Sequence, residues 1–463
     1  MKKLLNRFDK KIDLIAYALI AILFGYFALF NNTYEYGDSF QYIHQYPMRE
    51  PVYSLLLQFM QWIAGENYTL PLGYFQNILA IICLSWTYKR ISKIYNLNTL
   101  FRFGTVCVLL APHILTPMAS VSHLILTNGV MTEGITISMF SVWFTILLGI
   151  LTDFYDVEKR KLPIILSVLL ALILVLTRGQ MAVCLILWLI VVVYKSFNKD
   201  IVTFIKKAII YVLIFVAAFV IKSQFTKVYN LLETGYYVDT VSSKPMLLAN
   251  IVYVCDEDDA KYIKETDLQA AFSTILSNAK KDSLTFDSAQ GSIIDYALYH
   301  EDCHDVLNFD YIDPEIRKVI YSQKGIDEQT FLALMIEEDS LCGQISKELL
   351  PNIAGKYLKN YFYIVSLGFV RTIAVEKFGL SFVAIILYLA SIMLTVICFI
   401  KDKKNISVIS MILVFISICG TVFGTSLMIQ CIGRYMIYNF PFFYIINMAL
   451  LQSLLPNKQE DSL

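Results

Sequence analysis

Residues 163–194 read PIILSVLLALILVLTRGQMAVCLILWLIVVVY, and Arg178 is the single charged side chain in this stretch. An α-helix needs roughly 20 mostly apolar residues to cross the hydrocarbon core of a bilayer. The stretch holds two apolar segments, 163–177 and 180–194, with a tight break at Arg178 and Gly179 between them. We therefore expect two membrane-spanning helices, the first of them short, that run in opposite directions and leave Arg178 at one membrane surface.

The whole chain has the composition of a polytopic membrane protein. Of its 463 residues, 57% are hydrophobic and 16% are charged, and the mean hydropathy is +0.59. Soluble proteins carry about 25% charged residues, so this composition excludes an ordinary soluble enzyme and a disordered chain. The 38 basic and 38 acidic residues balance, and net charge therefore gives no sign of a nucleic-acid partner.

Apolar runs of sufficient length predict ten spans. They are residues 13–30, 70–87, 101–117, 132–151, 163–177, 180–194, 208–222, 380–400, 406–428 and 435–454. Basic clusters precede the first span and follow the second, fourth, sixth and eighth. Cytoplasmic loops are enriched in Lys and Arg, and every cluster falls on the cytoplasmic side if the N-terminus is cytoplasmic. We predict an all-α polytopic protein of the plasma membrane, typical of bacteria, with both termini in the cytoplasm and the first run retained as a span.

The alternation of cytoplasmic and outer loops divides the chain into three parts. An N-terminal module of seven spans (1–222) includes the first outer loop (31–69), and a C-terminal module of three spans covers 380–463. Between them lies an extracytoplasmic insert, 223–379, which is acidic, mostly helical over 223–360, and ends in an interfacial helix, 361–376. Three of the nine cysteines lie in the insert, and two of these can form a disulfide outside the cytoplasm: Cys255, Cys303 and Cys342.

Ionisable residues collect at the outer ends of the spans, whereas the middles of the spans are nearly free of charge. Channels and transporters place such residues inside their spans. The pattern therefore favours chemistry at the outer membrane surface and argues against a pathway through the bilayer.

The first outer loop contains YEYGDSFQYIHQYPMREPVY at 34–53. Asp38, in an aromatic-rich loop just above the membrane, can serve as a general base. It can equally act as the N-cap of the helix that follows, since Asp is a preferred N-cap residue. Arg49 and Glu50 follow in the same loop.

Two further outer positions carry charged residues at helix ends. Glu133 opens the fourth span, where an acid is favourable near a helix N-terminus or can orient a substrate hydroxyl or help to hold a metal. Arg178 and Arg434 suit bidentate phosphate binding, or anchor the protein to lipid headgroups. The run His300 to His304 looks like a metal cluster, but adjacent residues of a helix do not face one site, and we assign no metal to it.

Taken in order, these positions resemble the GT-C superfamily of integral-membrane glycosyltransferases, near the protein mannosyltransferase and aminoarabinose transferase branch. The resemblance rests on four motifs over about the first 200 and last 30 residues: GDSFQY at 37–42 with REPVY at 49–53, TE at 132–133, LTRGQ at 176–180, and RY at 434–435 before Pro441. Three departures are that Asp38 is followed by Ser39 where relatives have paired acids, that Arg178 is followed by Gly179 where proline is frequent, and that the insert precedes the last three spans.

The resemblance implies an inverting glycosyltransferase that takes a sugar from a polyprenyl-phosphate-linked donor to a glycan, lipid or protein acceptor on the extracytoplasmic face. It implies that Asp38 activates the acceptor, that Glu133 lies near the acceptor, and that Arg178 and Arg434 bind the lipid phosphate. Four neighbours complete the predicted substrate-binding set: Arg49, Glu50, Gln180 and Tyr435. No cofactor is assigned, and a requirement for a divalent metal is left open.

Two other functions fit parts of the pattern. A polymerase of the O-antigen type also has many spans, a large outer loop and outer arginines, but the early pair Asp38 and Glu133 favours the GT-C interpretation. A transporter or flippase of lipid-linked sugars predicts polar residues near mid-membrane or repeated broken helices, and the sequence contains no such repeat.

Overall fold

The computed structural model describes residues 2–119, 123–155, 160–197, 200–325, 331–374 and 380–455. These residues form helices and no β-strand, apart from one isolated bridge between Tyr34 and Gly129. Eight of the described helices are long and apolar enough to cross a membrane. The prediction of a helical, polytopic membrane protein is therefore confirmed at this level.

The described helices are numbered here in chain order. They are α1 Lys2–Phe30, α2 Ser39–Ile43, α3 Pro51–Ala64, α4 Thr69–Ile94, α5 Thr99–Ala119, α6 Glu133–Leu151, α7 Lys161–Thr177, α8 Ala182–Ser196, α9 Ile201–Thr234, α10 Ser243–Val254, α11 Thr266–Lys281, α12 Ile293–Val306, α13 Asp313–Lys324, α14 Phe331–Ile373, α15 Leu380–Lys401, α16 Ile406–Ser426, α17 Gly433–Met436 and α18 Phe440–Leu454.

Two of the ten predicted spans are shorter than a full crossing. The predicted span 163–177 is α7, an apolar helix of 17 residues, and the predicted span 435–454 is broken into α17, a 3₁₀ turn at Ile437–Asn439, and α18 of 15 residues. Pro441 lies in the first turn of α18, where its missing N–H has no helical partner to lose. The remaining eight predictions correspond to the eight long apolar helices, one of which is α8 together with the 3₁₀ turn before it, Gly179–Ser196.

Helix α6 lies at the centre of the helical bundle. It packs against α4, α7 and α8, and Trp143 and Phe144 are fully buried. A helix that is apolar all round belongs in the interior of a protein, and GITISMFSVWFTILL has that character. The central position of α6 matters because Glu133 is its first residue.

The insert has a hydrophobic core of its own, formed by α10–α13 and the first half of α14. Leu248, Phe272 and Ile345 are fully buried there. Cys255, Cys303 and Cys342 also lie in this core, but all three are free thiols. The disulfide that the sequence allows is therefore not formed.

Two predicted boundaries, after residues 222 and 360, fall inside continuous helices, and the residues before the third, 375–379, lie outside the described ranges. Helix α9 runs through the predicted boundary at 222 to Thr234, and α14 runs without interruption from the insert core to Ile373. The described part of the predicted interfacial helix, 361–373, is thus the end of α14, and Ile364 and Val365 pack in the core of the bundle. No separate helix begins there; its position relative to a membrane stays a prediction.

Asp313 and Glu338 form a buried acidic pair in the insert, and Arg317 contacts both carboxylates at 3.4 and 3.1 Å. Burial and the hydrogen bond with Glu338 raise the pKa of Asp313 well above its ordinary value, against the opposing effect of Arg317. A carboxyl whose pKa is raised by folding binds a proton that the unfolded chain has lost, so the free energy of unfolding falls as the pH rises through this range.

We therefore expect the full chain in detergent to unfold at a higher temperature at pH 5 than at pH 8. Asp313→Asn removes the ionisable group, so the difference between the two pH values becomes smaller. The control is Asp258→Asn, which changes an exposed acid elsewhere in the insert that does not act on Asp313. An Asp313→Asn variant with the wild-type dependence on pH would contradict the assignment.

Candidate functional site

A cavity of about 460 Å³ lies where the first outer loop meets the start of α8, the end of α16 and the segment that leads into α10. Five of the eight predicted site residues line it: Arg49, Glu50, Arg178, Gln180 and Tyr435. The other three contact these residues or one another, as described below.

Asp38 joins two distant parts of the chain. Its Oδ1 accepts from Arg49 Nη2 at 2.9 Å, and its Oδ2 accepts from Arg434 Nη2 at 2.7 Å. It precedes α2, but its side chain makes no capping hydrogen bond, so the N-cap interpretation is wrong. Burial alone would raise the pKa of Asp38, but the two guanidinium groups outweigh it, and the pKa is lowered. Asp38 is therefore an ionised partner of two arginines.

Glu133 is the buried centre of the same network, with 2% of its side chain exposed. Its Oε1 lies 2.7 Å from Arg178 Nη1 and 3.7 Å from Arg434 Nε. The Thr132 hydroxyl donates to its Oε2 at 3.1 Å. A buried carboxylate is costly unless it is paired, and here the two arginines provide the pairing.

Arg178 occupies the break between α7 and α8 that the sequence predicts. Its extended backbone ends α7, and its guanidinium donates to Thr132 Oγ1 at 2.9 Å and to Gln180 Oε1 at 3.0 Å. The same guanidinium lies 4.4 Å from the centre of the Tyr435 ring, within the range of a cation–π contact. Gln180 Nε2 donates to the Tyr435 carbonyl at 2.7 Å, which ties the α7–α8 break to α17.

Arg49 extends the network toward the first outer loop. Its Nε donates to Gln41 at 2.6 Å, and its guanidinium lies 5.0 Å from the centre of the Tyr42 ring. Three arginines thus surround two carboxylates, which leaves one positive charge in excess. The excess positive charge can therefore bind an anion while each carboxylate keeps an arginine partner.

Glu50 belongs to a second network on the same cavity. It accepts from Lys222 Nζ at 2.8 Å and from Thr226 Oγ1 at 3.2 Å, and Lys222 also pairs with Asp239 at 2.9 Å. Burial raises the pKa of Glu50 despite the nearby lysine. Lys222 and Asp239 are missing from the predicted set, because a lysine at the end of an apolar run resembles an interfacial anchor.

The remaining wall of the cavity is apolar and belongs to helices of the bundle. Val183 and Ile186 on α8 face Gly420 and Gly424 on α16. A Cβ atom at Gly420 would come within 2.7 Å of Val183 Cγ2, whereas one at Gly424 would meet open space. The two helices therefore pack closely at Gly420 and separate toward Gly424, so the cavity combines a cationic end with an apolar side.

The structure brings seven predicted residues into one connected network: Asp38, Glu133, Arg178, Arg434, Arg49, Gln180 and Tyr435. Glu50 lines the same cavity in its own network. Within the described ranges, no three His, Cys, Asp or Glu side chains come together as metal ligands. Comparison with family models, with curated proteins and with solved structures gives no match.

Proposed function

We propose that this chain is an inverting glycosyltransferase that transfers a sugar from a polyprenyl-phosphate-linked donor to an acceptor on the extracytoplasmic face. The observation that carries the proposal is the cationic end of the cavity, where three arginines exceed two carboxylates beside an apolar helical wall. A lipid phosphate is complementary to this cavity, because it has an anionic head and an apolar chain.

The arginines suit the charge that such a reaction develops. Displacement at the anomeric carbon leaves a lipid phosphate, and its growing negative charge is stabilised by donors that are already in place. Arg178 and Arg434 both contact Glu133, so they converge on one point, and guanidinium groups bind phosphate oxygens in a bidentate manner. Inversion by direct displacement needs no carboxylate nucleophile.

The charged groups also favour an enzyme over a transporter. Glu133 is the first residue of α6, Arg178 ends α7, and Arg434 lies in the turn before α18. They gather at helix ends and leave the middle of α6 uncharged, whereas a translocation pathway would require ionisable groups along the spans.

Binding of polyprenyl phosphate to the purified protein tests the proposal. We expect native mass spectrometry to detect polyprenyl phosphate bound at least about tenfold more tightly than the uncharged polyprenol, because only the phosphate engages the arginines, and tenfold corresponds to about 1.4 kcal/mol. The polyprenol of equal chain length is the matched control for binding to the apolar wall. Equal affinity for both lipids would contradict the proposed role of the cavity.

A further inference from the structure

Helix α12 of the insert approaches the turn that carries Arg434. Glu301 Oε2 accepts from Arg371 Nη1 at 2.5 Å, and the same guanidinium nitrogen donates to the Cys431 carbonyl at 2.8 Å. These contacts bring the end of α12, with the motif from His300 to His304 and the adjacent Asp305, next to the segment at Cys431 that precedes Arg434.

Asp305 presents a carboxylate oxygen that no described residue contacts by a hydrogen bond. Its Oδ1 lies 3.0 Å from His304 Nδ1 and accepts from Gln430 Nε2 at 3.1 Å, while Oδ2 has no donor among the described residues. The side chain is 61% exposed. Asp38 differs, because each of its two oxygens is already held by a guanidinium group.

His304 lies behind Asp305 and is nearly fully buried. Its Nδ1 faces the Asp305 carboxylate, and its Nε2 faces the Met246 carbonyl at 3.2 Å. The ring thus contacts the Asp305 carboxylate on one side and the insert backbone on the other, and it holds the carboxylate in place. The hydrogen bond with His304 also lowers the pKa of Asp305.

The pair lies next to two residues that line the cavity. Met246, whose carbonyl faces His304, lines the cavity, and so does Ile429, the neighbour of Gln430. Asp38 also exerts an electrostatic effect on Asp305. Asp305 therefore lies near the arginine network but outside it, on a helix of the insert.

We propose that Asp305, positioned by His304, is the base that takes the proton of the acceptor hydroxyl; this inference rests on the proposed glycosyl transfer. The acceptor oxygen forms the new bond to the anomeric carbon, and the bond from that carbon to the phosphate oxygen breaks. The electron pair of that bond stays on the phosphate beside Arg178 and Arg434, and the hydroxyl proton goes to Asp305. Asp38 remains the partner that positions Arg49 and Arg434.

Asp305→Asn tests this role in membranes that contain the native donor and acceptor, with the release of polyprenyl phosphate followed by mass spectrometry. We expect release to fall by about 10²-fold or more, as for other general bases. Binding of added polyprenyl phosphate to the purified variant should stay within about twofold of wild type, because the arginines are untouched. Asp302→Asn, an exposed acid on the same helix, is the matched control and should release product at the wild-type rate.

His304→Gln separates positioning from folding. The groups that act on Asp305 are His304 and Gln430 by hydrogen bonds and Asp38 by charge, with the His300 ring 5.6 Å from that of His304 and the Glu301–Arg371 pair beside them. Loss of the imidazole raises the pKa of Asp305, since the hydrogen bond from His304 is the largest influence that lowers it. The acidic limb of the pH–rate profile should therefore move to higher pH in this variant.

Three results would overturn the inference: wild-type release by Asp305→Asn, an equal loss in Asp302→Asn, or a loss of polyprenyl phosphate binding in Asp305→Asn. An unmoved acidic limb in His304→Gln would overturn the role of His304. None of these results would contradict the proposed function. That function fails separately, if polyprenyl phosphate binds no better than polyprenol.

Discussion

Replacement of Asp38 by asparagine is expected to lower sugar transfer by about 10²–10³-fold while the protein still folds. Asp38 connects Arg49 of the first outer loop to Arg434, which lies 396 positions after Asp38 in the sequence. An amide has only one acceptor oxygen and no charge, so it cannot hold both guanidinium groups. A loss of this size is expected if an arginine that stabilises the leaving phosphate moves by about 1 Å.

The same substitution should not weaken the binding of the donor. A carboxylate competes with the phosphate for Arg49 and Arg434, so its removal should leave the affinity for polyprenyl phosphate unchanged or increase it. Glu35→Gln is the matched control, because Glu35 is an exposed acid of the same loop that binds Tyr68 outside the network. Near-normal transfer by Asp38→Asn would show that the arginines do not depend on Asp38.

Replacement of Arg178 or Arg434 by lysine is expected to weaken the binding of polyprenyl phosphate by about tenfold or more. Lysine keeps the charge but loses the planar fork that binds two oxygens at once. At position 178 it also cannot keep the contacts to Thr132, Gln180 and Glu133 together. The affinity is measured by native mass spectrometry on the purified variants.

Arg90→Lys controls for a general effect of an arginine-to-lysine change in a membrane helix. Arg90 lies near the end of α4, 5.5 Å from the centre of the Trp86 ring, and has no contact with the cavity. If both site variants bind polyprenyl phosphate like the wild type and like Arg90→Lys, the two arginines act as anchors for headgroups and not as the donor site.

Hydrophobic runs predicted most of the helices because a lipid-facing helix must satisfy its backbone internally and present apolar side chains. Hydrophobic runs do not predict the ends of a helix that continues beyond the lipid-facing region. Residues 361–376 were predicted as a separate interfacial helix, but their described part is the end of α14, which continues through Pro351 to residue 373. A proline removes one backbone hydrogen bond, and packing on two cores outweighs that loss.

The positions of the site residues were predictable from the sequence, whereas their partners were not. Asp38, Glu133, Arg178 and Arg434 each stand out as charges beside an apolar run. That Asp38 bridges two arginines, and that Glu50 pairs with Lys222, depends on how distant helices pack. Asp305 gave no local signal, because an acid next to a histidine on a polar helix is ordinary at a protein surface.

Extraction and mass spectrometry of lipids tests the central claim most directly. The comparison is between cells with the wild-type chain and cells whose only copy carries Asp38→Asn. We expect a monosaccharide linked to polyprenyl phosphate to accumulate in the variant, because the donor is still made but its sugar is no longer transferred. Accumulation of lipid-linked oligosaccharides would indicate a polymerase instead, and an unchanged lipid profile would contradict glycosyl transfer by this protein.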